Sequence, residues 1–163
     1  MTDSFFDFSS FFGSGSPKTV DHVSIEAYCS HIWYEIEKYP FSYEEGLHNV
    51  KATYSVLPDG SISVKNEGID KDGKLNVSYG TATAEDSTNS KLSVTFFWPF
   101  FGEYWIIKLG NNYEYSVVSD SRRKYLWILS KTKTMNKSLL TEIKAWLANN
   151  GFDISKLVPT IQE

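Results

Sequence analysis

The sequence predicts an all-β protein, an eight-stranded antiparallel up-and-down β-barrel with one C-terminal α-helix packed on it. Eleven Phe, ten Tyr and five Trp in 163 residues are many, and aromatic side chains favour pleated, half-buried surfaces. Turn signals recur at short intervals between short β-like runs, which is typical of a barrel or sandwich. One late segment has helical apolar spacing. A chain of this length closes one sizeable core.

The first segment, residues 1–19, is rich in Ser, Gly and Phe and has neither strand nor helix periodicity, so we expect a flexible N-terminal arm. Residues 20–163 then form the single barrel domain. No basic residue precedes Lys18, and no continuous apolar stretch resembles a secretory signal. The single cysteine, Cys29, excludes an internal disulfide. Together these features predict a cytoplasmic or otherwise intracellular protein.

Eight β-like runs follow, separated by turn signals such as Pro58-Asp59-Gly60 and Lys71-Asp72-Gly73. Successive strand side chains alternate between faces, which places Ala52 and Tyr54 inside. Later strands are apolar on both faces, so their outer side needs a cover. The runs lie at 32–39, 48–57, 61–68, 74–84, 91–97, 103–109, 113–119 and 124–130.

A helix from Asn136 to Asn149 supplies that cover. Its apolar residues fall at positions 139, 140, 143, 146 and 147, which is one helical stripe. Asn136 is a suitable N-cap, and Gly151 a suitable stop after the last turn.

The sequence allows two interpretations of the barrel interior. A closed eight-stranded barrel is filled by side chains or holds one small ligand. Asn66, Gly80 and Ala82 point inward and fill a core poorly, which favours a cavity with a polar handle.

Enzyme chemistry has no support in the sequence. There is no GxSxG, HExxH, CxxC or phosphate-binding loop, the three histidines lack metal-ligand spacing, and Glu35 and Glu37 are interpreted as a solvated strand face. A net charge of −4 argues against a nucleic-acid partner. We therefore predict no catalytic residue, no cofactor and no metal.

Five segments resemble the lipocalins, and in particular the branch of bacterial lipocalins, plant temperature-induced lipocalins and apolipoprotein D. They are IWYEI at 32–36, YPF at 39–41, NVKATYS at 49–55, YLWILSKT at 125–132 and GFDISKL at 151–157. The resemblance covers about residues 20 to 160 in the family's order. Two positions depart from the pattern: His31 stands where the family has Gly, and Lys131 where it has Arg. The resemblance implies that Trp33 and Lys131 close the barrel base, with the lysine lying on the indole.

The resemblance implies a barrel that sequesters or carries a small hydrophobic ligand, such as a fatty acid or lysophospholipid. Trp105 has the opposite parity to its neighbours, so we expect it at the rim or under the helix. Strand parity and the family's pocket positions together give the expected ligand-binding residues: Tyr54, Asn66, Tyr104, Trp127, Ile106, Phe96, Val64 and Ala82.

An alternative function is a protein or membrane interaction module without a cavity ligand. Residues 96–101, FFWPFF, would then contact a partner or a membrane surface through exposed aromatic rings. The sequence leaves the oligomeric state open.

Overall fold

The computed structural model describes residues 15–95 and 101–163 and confirms the predicted barrel and helix. The strands lie close to their predicted positions. They are β1 (Trp33–Lys38), β2 (His48–Val56), β3 (Ile62–Ile69), β4 (Leu75–Ala84), β5 (Lys91–Thr95), β6 (Phe101–Leu109), β7 (Tyr115–Ser119), β8 (Leu126–Ser130) and a short β9 (Val158–Pro159). The helices are α1 (Ile25–Tyr28) and α2 (Lys137–Asn149), with single 3-10 turns at Ser42–Glu44 and Ile154–Lys156.

Turn chemistry fixes the hairpins. At the β2–β3 turn, the Asp59 carboxylate accepts hydrogen bonds from the backbone N–H and the hydroxyl of Ser61, at 2.9 and 2.6 Å. Gly60 has φ +90° there, a conformation that glycine adopts without strain. The β3–β4 turn is built in the same way, since Asp70 accepts from two backbone N–H groups and Gly73 has φ +80°.

The barrel is a meander, and its seam lies between β1 and β2. Each strand from β2 to β8 pairs antiparallel with the next, and β1 pairs with β8. Between β1 and β2 the ladder has only two pairs, Trp33 with Ala52 and Tyr34 with Lys51. Beyond them the C-terminal tail enters the gap, because β9 pairs with β1 and the Asn49 N–H donates to the Ile161 carbonyl at 2.8 Å. The sequence did not reveal this closure.

Helix α2 covers the outer face of β7 and β8, as predicted. The Asn136 side chain accepts from the N–H groups of Ser138 and Leu139, and Gly151 at φ +89° follows the last turn. Ile143 and Leu147 are fully buried. They belong to the same buried cluster as Trp105, so of the two positions expected for this indole, the rim or under the helix, the structure shows the second.

Helix α1 crosses the closed end of the barrel and was not predicted. It begins after Ser24, whose hydroxyl accepts from the Ala27 N–H, and its Tyr28 carbonyl accepts from the Trp33 indole at 2.8 Å. The segment before it also touches the barrel: Pro17 is buried, and the Val20 N–H donates to the Ile106 carbonyl. Residues 1–14 of the expected arm lie outside the described residues.

Candidate ligand-binding cavity

The barrel encloses a cavity of about 590 Å³. This volume falls within the range of small-molecule sites, roughly 300 to 1,000 Å³. Helix α1 lies at its closed end, and the 3-10 turn after β1 and the β7–β8 hairpin lie at its mouth. Its wall is mainly apolar and aromatic, with Trp33, Val50, Ala52, Tyr54, Ile62, Val64, Ala82, Leu92, Val94, Tyr104, Val118, Trp127 and Leu129 among the lining residues.

Six of the eight expected ligand-binding residues line this cavity: Tyr54, Asn66, Tyr104, Trp127, Val64 and Ala82. Ile106 does not. It is fully buried in the inner core, at the place where the Val20 N–H bonds to its carbonyl. Inward parity placed it inside the barrel correctly, but parity does not distinguish packed core from cavity wall. Phe96 and residues 97–100 lie outside the described residues, and so does the side chain of Phe101. The possible membrane contact through residues 96–101 therefore also lies outside the described part of the chain.

A chain of four hydroxyl groups lies at the closed end. The Tyr54 and Tyr104 oxygens are 2.9 Å apart, those of Tyr104 and Tyr28 are 2.9 Å apart, and Tyr28 is 2.7 Å from Ser116 Oγ. Burial is the main cause that raises the pKa of each of the three tyrosines above its usual value. All three therefore remain neutral hydrogen-bonding groups. We name this set, Tyr28, Tyr54, Tyr104 and Ser116, the hydroxyl cluster.

A charged cluster lies on the wall nearer the mouth. Glu35, on β1, is only 2% exposed; its Oε2 accepts from the Thr160 hydroxyl at 2.5 Å and lies 3.5 Å from Lys38 Nζ. Lys38 Nζ is also 3.3 Å from Glu44 Oε1. Burial, followed by the neighbouring Glu44 carboxylate, raises the pKa of Glu35, while Lys38 opposes the shift. Glu35 and Glu44 both line the cavity.

The interpretation of Glu35 and Glu37 as a solvated strand face is therefore wrong. Glu37 is 6% exposed and forms a 2.8 Å ion pair with Lys144 of α2. The tail covers one of these carboxylates and the helix covers the other. Both covers arrive from sequence more than a hundred residues away, which strand alternation does not reveal.

The barrel base uses a different partner from the one expected. Trp33 is fully buried, and the His31 ring lies 4.3 Å from it between centroids. The two His31 ring nitrogens are each 3.0 Å from a backbone carbonyl, those of Ile32 and Tyr113. Lys131 is exposed, and Trp33 has no cation over its ring among the described residues. The predicted Lys131 stacking is thus replaced by His31, the residue at the position of the missing glycine.

Aromatic rings and two cations mark the mouth. The Tyr125 ring stacks on Trp127 at 5.9 Å and an interplanar angle of 18°, and Phe41 meets Trp127 edge-on at 6.1 Å. Arg122 and Lys124 of the same hairpin line the opening and are exposed.

Two further observations limit the chemistry of this site. Cys29 lines the cavity, and burial raises the pKa of its thiol to about 11, so it stays a neutral thiol near pH 7. Among the described residues, no group of His, Cys, Asp or Glu is placed to hold a metal ion, and no helix there is long and apolar enough to span a membrane.

Comparisons with known proteins agree with this geometry. The family described as "Lipocalin-like domain" matches residues 23–162. The chain is 40% identical over 128 residues to outer membrane lipoprotein Blc of Escherichia coli, covering 77% of this chain and 72% of that protein. It is 34% identical over 156 residues to temperature-induced lipocalin-1 of Arabidopsis thaliana, covering 89% and 82%. Lobster apocrustacyanin A1 shares the fold, with a TM-score of 0.70 at 18% identity and 91% of each chain covered.

These relatives overturn the predicted cytoplasmic or otherwise intracellular location, which is wrong. Several of them are outer membrane lipoproteins by name, which points to an envelope or extracellular location. A single cysteine excludes an internal disulfide, but a barrel closed by backbone hydrogen bonds needs none in any compartment.

The sequence motifs, the closed meander with its covering helix and the apolar cavity all lead to the same assignment, and the relatives include each branch that the motifs indicated. The chain belongs to the lipocalin family, whose members bind small hydrophobic ligands.

Proposed function

We propose that this lipocalin sequesters or carries a single-chain lipid, such as a fatty acid or a lysophospholipid, with the acyl chain in the cavity. One observation carries the proposal: the wall is mainly apolar and aromatic, whereas the exposed cations Arg122 and Lys124 lie at the mouth. An acyl chain fits the first feature and an anionic head group fits the second.

The energetics allow useful affinity. Each buried methylene contributes about 0.8 kcal/mol, so about fourteen of them contribute about 11 kcal/mol before costs. Association and ordering of the chain subtract several kcal/mol, which leaves affinities in the micromolar range.

The lining residues divide this work. Trp127 places its indole between the mouth aromatics and the cavity, and Val64 and Ala82 form another part of the wall. Asn66 and the Tyr54 hydroxyl are polar groups of the wall that orient a ligand carrying a matching polar group, each hydrogen bond contributing about 1 kcal/mol.

The test uses Trp127→Ala and displacement of a fluorescent fatty acid analogue by hexadecanoic acid. We expect at least tenfold weaker binding with an unchanged far-ultraviolet circular dichroism spectrum. Trp146→Ala is the matched control, because Trp146 packs on the helix side and its ring faces Lys108 at 4.9 Å. Equal affinity of the Trp127 variant and the wild-type protein would exclude this cavity as the lipid site.

Native mass spectrometry of the purified protein tests the ligand class directly. We expect one bound lipid per chain, identified after organic extraction. A barrel that is purified empty and also takes up no added fatty acid would contradict the proposal.

A further inference from the structure

The hydroxyl cluster has one more O–H donor than it has internal hydrogen bonds. Its four O–H groups each carry one proton to donate, but they form a linear chain with three hydrogen bonds, from Tyr54 through Tyr104 and Tyr28 to Ser116. One O–H donor is therefore left without a partner inside the cluster, whichever way the chain of bonds runs.

Burial decides where that donor lies. Ser116 is fully buried and does not line the cavity, and its hydroxyl has no other hydrogen-bond partner among the described residues. If the unpaired O–H donor were on Ser116, it would be buried away from water without an acceptor, at a cost of about 1 to 3 kcal/mol. Ser116 is thus the donor to Tyr28. The spare proton then belongs to one of the three tyrosines, and all three line the cavity.

The surroundings of the cluster select the acceptor. Among the described residues, no lysine, arginine or histidine is hydrogen-bonded to any of the four hydroxyl groups. A carboxylate at this end would be desolvated beside neutral hydroxyl groups, without a cation to balance its charge. A carbonyl, ether or hydroxyl oxygen carries no such cost and accepts the donated proton.

We infer that the hydroxyl cluster is a subsite that donates one hydrogen bond to an uncharged oxygen at the leading end of the ligand. This inference rests on the proposed lipid-carrier function and narrows it: the preferred molecule is apolar along its length and carries a keto, hydroxyl or ether oxygen at the end that enters first. An unmodified acyl chain places a methyl group there and leaves the donor unpaired.

The test compares two probes of equal chain length, hexadecanoic acid and 15-oxohexadecanoic acid, by isothermal titration calorimetry with the full chain. The ketone is the more polar probe, so a purely apolar closed end would bind it more weakly. We expect it to bind about threefold to tenfold more tightly, the range for one neutral hydrogen bond.

The decisive variant carries Tyr28→Phe, Tyr54→Phe, Tyr104→Phe and Ser116→Ala together. Replacing all hydrogen-bonding partners by apolar groups of similar shape is close to neutral for stability. In this variant the order of the two probes should invert, with hexadecanoic acid now the tighter ligand. Ser116→Ala alone leaves three tyrosines with one spare proton, so it should keep the preference for the ketone. Tyr79→Phe, on the outer face of β4 at 64% exposure, is the control for loss of a phenol hydroxyl.

The outcomes separate the two proposals. If both probes bind the wild-type protein equally, or the ketone binds more weakly, the subsite inference is wrong and the lipid carrier stands. If neither probe binds, the proposed carrier function fails and the inference fails with it.

Discussion

Strands β7 and β8 are buried on both faces, but the outer face packs against a helix and the inner face lines the cavity. On the outer face Val117, Leu126 and Ile128 are fully buried against Ile143 and Leu147 of α2. On the inner face Val118, Trp127 and Leu129 line the cavity. The same strands thus belong to a filled interface on one side and to a binding wall on the other.

The difference shows how a barrel can keep an unfilled interior and remain folded. The helix interface removes large apolar side chains from water completely, and interiors of this kind are close-packed and stabilising. The cavity wall does not have to supply this stabilisation, so its residues can be suited to ligand binding instead. Four experiments test this division, from the largest expected effect to the smallest.

The largest effect is expected on the helix side. Leu147→Ala should lower the free energy of unfolding by about 2 to 5 kcal/mol, because it opens a cavity in a packed interface. Urea denaturation followed by circular dichroism measures the loss, and affinity for hexadecanoic acid should not change. Leu75→Ala, at a leucine that is 54% exposed, is the matched control and should cost far less. A similar loss of unfolding free energy at both positions would show that the helix interface contributes no more to stability than an exposed site.

A substitution on the cavity side should show the opposite pattern. Ala82 is 2% exposed and lines the cavity, so Ala82→Leu fills ligand space with side chain. We expect at least tenfold weaker lipid binding, with the free energy of unfolding changed by less than about 1 kcal/mol. Ala145→Leu, at an exposed position of α2, should leave both quantities unchanged. Retained affinity in the Ala82 variant would show that the ligand does not use this part of the wall.

The charged cluster of Glu35, Lys38 and Glu44 gives the cavity wall a pH dependence. Burial and Glu44 raise the pKa of Glu35 from 4.5 to about 8, so between these values the folded protein binds more protons than the unfolded chain. The stabilisation is complete below about pH 4.5 and is lost as the pH rises through about 8, so the free energy of unfolding should fall across this window. Gln at this position cannot ionise, so Glu35→Gln should remove most of that fall. Denaturation curves at several pH values measure it, with the exposed Glu142→Gln as control. An identical pH profile in the Glu35 variant contradicts the assignment.

The smallest effect is expected at the seam. The Gln162 side-chain amide donates to the carbonyls of Glu35 and Val50, at 2.9 and 2.8 Å, and so joins β1 to β2 where the ladder has ended. Gln162→Ala should lower the free energy of unfolding by about 0.5 to 1.5 kcal/mol. Hydrogen exchange at the Asn49 N–H, which bonds to the tail, should speed up in the variant. Unchanged exchange there would mean that the tail holds the seam without this side chain.

The sequence predicted those parts of the fold that depend on short-range patterns. The Asn136 cap and the Gly60 and Gly73 turns were each predicted from a few neighbouring residues. Most of the cavity wall was readable too, since alternation gave Tyr54, Val64 and Ala82, and the family resemblance added Trp127.

The parts that were missed depend on contacts between distant segments. Neither the tail in the seam nor α1 across the closed end has a periodic signal, because each is too short to show one. Ser116 in the hydroxyl cluster was missed for the same reason, since it meets Tyr28, 88 positions away, only in the completed barrel. His31 is a sequence neighbour of Trp33, but its ring lies on the indole beside the Tyr113 carbonyl, which is 82 positions away.

By itself the sequence determined the class of structure, the faces of its strands, the covering helix and the family, because periodicity and turn chemistry act over a few residues. Only the tertiary structure decided which inward residues are wall and which are packed core, and which buried charges and hydroxyls meet. Those outcomes depend on how the closed barrel brings together residues that lie about a hundred positions apart in the sequence. A pattern over a few neighbouring residues carries no information about such contacts.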